Sequence, residues 1–329
     1  MQYKGLKISL IVLLSIAAIG IISLMIWLMF HKDKNFHIVF FNTKTEQIFQ
    51  KEYALEEFEK LNIDALSSKV TIREGHSDKM KVTAYGMKHQ LITEQLEDGT
   101  LSLTKENNVI GIFFCWYQEE IIIEIPKTIE KTIHVKTASG NISILDLEQS
   151  ILQLESISGN ITCGHMRTGN IQTTSGNIQC GNAQEAEIKS TSGKIQAKDL
   201  NQATIKTTSG NIQVNTLQNG SAESFSGRIH IQQTQTIQLK TLSGEISVGQ
   251  IDGSCQIHST SGNLKIDTCH LHANSHMKTT SGKIEVLHLE DVYVETKTTS
   301  GNTHINGNNR KSEIELTLET VSGNIKVNP

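Results

Sequence analysis

From residue 137 onward, apolar side chains fall on alternate positions, and that alternation recurs as a longer cycle. Each cycle places two apolar residues, two apart, after a Ser-Gly dipeptide: Ile178 and Cys180, Ile195 and Ala197, Ile212 and Val214, Ile229 and Ile231. Another apolar residue stands four before the serine, as Ile171, Ile188, Ile205 and Leu239 do. A hydroxyl residue stands two before it, as in Thr173, Ser190, Thr207, Ser224 and Thr241. Alternation with period two is the signature of a strand with one buried face. Each cycle therefore predicts two short β-runs joined at Ser-Gly, with a looser return through residues such as Leu200, Leu217 and Ile251.

Ser-Gly occurs eleven times between Ser139 and Ser322, at intervals of 19, 17, 17, 17, 17, 17, 18, 20, 19 and 22 residues. Self-similarity at a fixed period marks a stacked architecture. The fold predicted is all-β, a parallel β-solenoid of about 17-residue coils, with its handedness left open. At about 4.8 Å per rung the stack forms a rod roughly 50 Å long. Glycine at the corner is expected to supply positive φ, which would make Gly210→Val destabilising through backbone strain. Asparagine follows the glycine at Asn141, Asn160, Asn177, Asn211, Asn263, Asn302 and Asn324. In register these predict an amide ladder. The hydroxyl column shares the inward parity of the isoleucines, so turn backbone is its expected partner. It reads as a structural ladder and not as a row of nucleophiles.

Upstream the period is lost, but alternation persists in Phe36–Phe40, Leu61–Ile63, Val70–Ile72, Met80–Tyr85 and Leu101–Leu103. Asp98-Gly99 predicts a hairpin turn. Residues 51–60 (KEYALEEFEK) read as a short helix or a solvated linker. Residues 121–126 read as the last strand before the regular array. The organisation expected is a cytoplasmic tail (1–7), a transmembrane helix (8–30), a β-rich cap (31–125) and the solenoid (126–329).

The span rests on an uncharged run of 23 residues, 8–30, long enough to cross a hydrocarbon layer about 30 Å thick. It continues apolar past Ala17, Ala18 and Gly20, where a cleaved signal peptide would end. It predicts an uncleaved, single-pass signal anchor. Lys4 and Lys7 bias its N-terminus to the cytoplasm, leaving the rest extracytoplasmic.

A net charge of −4 argues against nucleic acid as a partner. Cys163 and Cys180 stand 17 residues apart, one rung above the other. They read as small core hydrophobes, with a disulfide as the alternative. Cys255 and Cys269 are also inward, and no pattern pairs Cys115. Cys269, His270, His272 and His276 lack zinc spacing, so no metal and no cofactor is expected. Asp146, Asp199, Asp252, Asp267 and Asp291 are scattered, without the paired carboxylates of a polysaccharide-cleaving enzyme. No catalytic residue is assigned.

The outward column three residues before each serine contains Lys136, Lys189, Lys206, Lys240, Lys278 and Lys297. Glu155, Gln172, Glu223, His258 and Glu319 interrupt it. It is either a solvated strand face or a weak cationic stripe for an anionic envelope polymer. The last partial coil, residues 322–329, leaves an open edge where a second copy could dock end to end, unless the loop 306–312 shields it.

The T-x-S-G-N-I unit, following a Pro-terminated strand (EIIIEIP, residues 120–126) and one membrane span, resembles the bacterial putative-adhesin family of β-strand-repeat proteins. The resemblance covers roughly residues 60–329, and the coils lengthen after Ser243. It implies an envelope location, in some members a link to envelope stress responses, and no catalytic residues. The function expected is a non-catalytic binding or scaffold protein at the envelope. The alternatives are a regulatory partner of an envelope-stress system and, further off, a carbohydrate-active enzyme.

Overall fold

The computed structural model describes residues 36–39, 45–87, 91–106, 110–113, 119–126 and 128–328. The tail and apolar run at 1–30 lie outside them, as does Cys115. Among the described residues no helix is long and apolar enough to cross a membrane.

The repeat builds a parallel β-solenoid. Ile161 pairs with Ile178, Ile178 with Ile195, Ile195 with Ile212 and Ile212 with Ile229, so each isoleucine sits one rung below its counterpart. These side chains are fully buried and form one continuous aliphatic core with the Ile171, Ile188 and Ile205 column. The return is more regular than expected. Leu200, Leu217, Thr234 and Ile251 pair rung to rung, and single strands run Ile195–Thr207, Ile212–Ser224 and Ile229–Thr241.

The ladders also continue upstream of residue 126. Lys60–Asp64 stacks in parallel on Thr132–Thr137, and Lys69–Glu74 stacks on Ile142–Ile144. Beyond them lie Thr100–Glu106 and Glu120–Ile125. Antiparallel strands close this end: Met80–Gly86 on Glu120–Ile125, and Glu46–Tyr53 on Met80–Gly86. Asp98 and Gly99, at φ 47° and 68°, turn Leu91–Glu97 into Thr100–Glu106 as a tight hairpin. Within residues 51–60 the helical part is one short 3₁₀ turn set between two strands, not a linker. These residues end one strand, make the 3₁₀ turn at Leu55–Glu57, bury Phe58 and begin the next strand. Phe36–Val39 pairs in parallel with Ile110–Phe113 in a separate two-stranded sheet.

Stacking order departs from chain order at both ends. Thr100–Glu106 follows Lys60–Asp64 in the chain but lies outside it, and the next segment returns to its other face. At the opposite end Glu315–Ser322 inserts between Ser275–Ser281 and Tyr293–Ser300. Ile325–Val327 likewise lies between Ile284–Leu289 and Thr303–Ile305. The C-terminal coil is thus not the edge of the rod; residues 293–305 are. Two core columns carry threonine there, Thr296 and Thr303, where the interior coil carries the buried Leu318 and Ile325. The loop after residue 305 covers the edge. Asn308 accepts the Val294 N–H through Oδ1 and donates Nδ2 to the Val294 carbonyl, each at 3.0 Å. Its carboxamide occupies the place of the next strand.

Candidate binding surface

The corners fix what the surface can present. In most coils the hydroxyl column is buried and serves the turn; Ser259 Oγ is buried without a partner among the described residues, and Thr298 in the terminal coil is only half-buried. Gly159 N–H donates to Ser156 Oγ at 2.8 Å, and Gly193, Gly210 and Gly244 N–H donate to Ser190, Thr207 and Thr241 at 2.9, 3.0 and 2.9 Å. Some hydroxyls also reach the previous coil, as Ser224 Oγ donates to the Gly210 carbonyl. The asparagines form the expected ladder, but its bonds run from amide oxygen to backbone. Asn141, Asn160, Asn177 and Asn211 each accept the N–H of the residue one rung on, at 2.8–2.9 Å.

The expected role of the glycines is corrected. Among the corner glycines only Gly301, in the terminal coil, has positive φ; Gly210 and the other corner glycines do not. What excludes a side chain is the coil beneath. A Cβ on Gly210 would lie 2.0 Å from the Gly193 carbonyl oxygen, and one on Gly227 1.8 Å from that of Gly210. Glycine lets one corner seat directly on the next. The series ends at Ser68, whose hydroxyl meets a buried ion pair, Lys105 with Glu119, accepting from Lys105 at 2.8 Å.

Cys163 and Cys180 face one another as register partners, both buried and both free thiols; Cys255 and Cys269 are buried and free as well. Burial pushes the Cys255 thiol up to about 12. His270, His272 and His276 do not converge. They face Glu290, Asp252 and Glu319 separately, at 3.8, 3.4 and 3.7 Å. Among the described residues no three His, Cys, Asp or Glu side chains gather as metal ligands would. The aspartates are separate too: Asp146 accepts the His165 N–H, and Asp267 pairs with Lys265.

The six lysines do share one outward column, but their surroundings differ. Lys136 lies in register between Asp64 and Glu155. Because the C-terminal coil inserts between theirs, Lys278 and Lys297 lie on either side of Glu319, at 2.9 and 3.8 Å. The Lys278 hydrogen bond, chiefly, holds the Glu319 carboxyl below its usual range. Lys189 pairs with Glu187 on its own strand. In the middle, Lys206 and Lys240 share one carboxylate, Glu223, at 3.9 and 3.6 Å. His258 follows Lys240 in the column. Burial, then Lys278, Lys240 and His276, press its imidazole below the ordinary 6.5.

Two adjoining grooves open on this mid-rod stretch. One, of about 530 Å³, lies between Lys189, Lys206 and Lys240 and the corner residues Phe225 and Leu242. The other, of about 360 Å³, shares Lys206, Glu223, Lys240 and His258 and adds His276 and Lys278. Phe225 and Leu242 were not among the candidates drawn from the sequence. Their signal was available, since the position just before each corner serine has outward parity and is filled by threonine in most coils.

A family model described as Toastrack DUF4097 matches residues 58–232 and again 215–328. The chain belongs to this family. The matched segments take in the whole mid-rod surface of this Toastrack chain. Comparison with curated proteins gives no match. Several solved structures are similar, three of them as follows. A putative adhesin from Bacteroides fragilis is 16% identical, over 88% of this chain and 100% of its own, at a TM-score of 0.38. A putative adhesin from Parabacteroides distasonis is 12% identical, over 88% and 100%, at 0.35. A putative lipid binding protein from the same species is 14% identical, over 89% and 100%, at 0.31.

Proposed function

We propose that this chain is a membrane-anchored, extracytoplasmic β-solenoid that acts as a non-catalytic, adhesin-like binding rod at the cell envelope. The observation that carries the binding role is the mid-rod surface, where Lys189, Lys206 and Lys240 line one open groove, with Lys206 and Lys240 sharing Glu223 and Lys189 paired to Glu187 on its own strand. A cationic face with low-dielectric walls concentrates anionic ligands. The invariant letters of the repeat are consumed by the corners, which leaves the outward columns to meet a partner.

The anchor reading rests on the apolar run at 8–30 and its preceding lysines. In this arrangement residues 1–7 form the tail, 31–125 the membrane-proximal cap and 126–329 the regular rod. Two measurements test the location. The chain should fractionate with membranes, and protease added to wall-stripped cells should cut the region after residue 30. Recovery in the soluble fraction would refute the anchor. Protection in stripped cells, with cutting after lysis, would refute the orientation.

A further inference from the structure

The mid-rod groove has a composition that narrows its ligand. Phe225 and Leu242 sit on neighbouring coils, with the Leu242 N–H donating to the Phe225 carbonyl at 3.2 Å, and they remain 56% and 38% exposed. Phe225 is the one aromatic ring among the exposed large apolar side chains of the described residues. Beside this apolar shelf, two positions back along each strand, runs the column of Lys206, Glu223 and Lys240. Lys189 lines the same groove one coil further on. Apolar and cationic rows thus lie side by side along the rod axis, repeating at the rung spacing of about 4.8 Å.

We propose that this groove binds an acidic polysaccharide, with the C–H faces of its sugar rings on Phe225 and Leu242 and its carboxylates on Lys189, Lys206 and Lys240. The assignment rests on reading the rod as a binding module and names its ligand class. Charge complementarity sets the sign of the ligand. The shelf sets its body, because an aromatic ring and a branched aliphatic chain offer a flat apolar plane that pure charge pairing does not need. An acyl chain would need an enclosed apolar cavity, and this groove is an open face with a polar margin. A nucleic acid would draw on arginine forks and several stacking rings; the groove has neither. Glu223 is the built-in opponent, one carboxylate held between two of the lysines that the ligand would use.

The test uses the full-length chain in neutral detergent and calorimetric titration with size-defined oligogalacturonate. Neutral oligogalactan, polyphosphate and phosphatidylglycerol vesicles serve as comparison ligands. Oligogalacturonate should bind, and the neutral oligomer should not. Phe225→Ala should weaken binding about tenfold with an unchanged thermal midpoint, because the ring is exposed. Lys206→Gln and Lys240→Gln should each weaken it severalfold, and Glu223→Gln should strengthen it severalfold. Equal binding of polyphosphate with no effect of Phe225→Ala would reduce the groove to a nonspecific charge patch and overturn the proposal. Vesicle binding without oligogalacturonate binding, or no oligogalacturonate binding at low salt, would overturn it too. Any of these failures removes the ligand assignment and leaves the anchor and its orientation intact, because those stand or fall on fractionation and protease access.

Discussion

At the scale of single residues, the corner decides most of the chemistry. Gly210 is required by a neighbour and not by its own dihedral angles: a methyl group there would meet the Gly193 carbonyl oxygen at 2.0 Å. The backbone of two coils would have to part, so Gly210→Ala should cost at least ~2 kcal/mol by the overpacking route. Gly99 gives the contrast, with φ at 68° and nothing within 4 Å of the place a methyl group would take. Gly99→Ala should cost only about 1 kcal/mol, the conformational penalty alone. Denaturant titration of the two variants checks the order; equal losses would show that the corner is governed by φ after all. His258 provides a second residue-scale prediction. Its folded pKa lies below the unfolded value of 6.5, chiefly through burial and then through Lys278, Lys240 and His276. The unfolded chain therefore takes up this proton first, and stability present above pH 6.5 drains as the pH falls through the folded value. His258→Gln should show a smaller drop in thermal midpoint between pH 7.5 and pH 5 than the parent chain. An identical drop would mean that His258 is not pressed by its neighbours.

At the scale of elements, both ends of the rod tuck a strand pair between two others. The device explains an irregularity of the repeat. Thr296 and Thr303 break two apolar columns because their coil is the last in space, although another follows it in the chain. Leu318 and Ile325 keep the pattern because their coil is interior. An exposed parallel edge invites further strands. Threonine columns and the Asn308 carboxamide blunt it at modest cost. Leu318→Thr should destabilise the protein by about 2 kcal/mol or more, since it buries a hydroxyl in an aliphatic column. The double change Thr296→Ile with Thr303→Ile should instead leave stability intact and produce concentration-dependent association through the end of the rod. Sedimentation velocity reads that outcome. A monomeric double variant would show that Asn308 and its loop close the edge without help from the threonines.

At the scale of the whole molecule, the solenoid separates structure from binding. One aliphatic core runs its length, the corners are occupied with their own hydrogen bonds, and outward columns are left to vary coil by coil. The repeat was legible in the sequence because a stacked fold writes its period into the chain: inward parity, hydroxyl, glycine and asparagine recur wherever a rung repeats. The lysine column was legible for the same reason. Its electrostatics were not, because a charge is neutralised by whatever lies one rung away, and rung order departs from chain order at the ends. Lys278 and Lys297 flank Glu319 only once the last coil is inserted between theirs. The groove at Phe225 and Leu242 likewise exists only where two coils meet. By itself, the sequence determined the coil, its register and its buried faces, since period and parity are local properties of a strand. Tertiary structure alone decided the order of the end coils, the reason for glycine at the corner and the place of net positive charge. Each of those depends on which backbone lies about 4.8 Å away, and no local pattern records that neighbour.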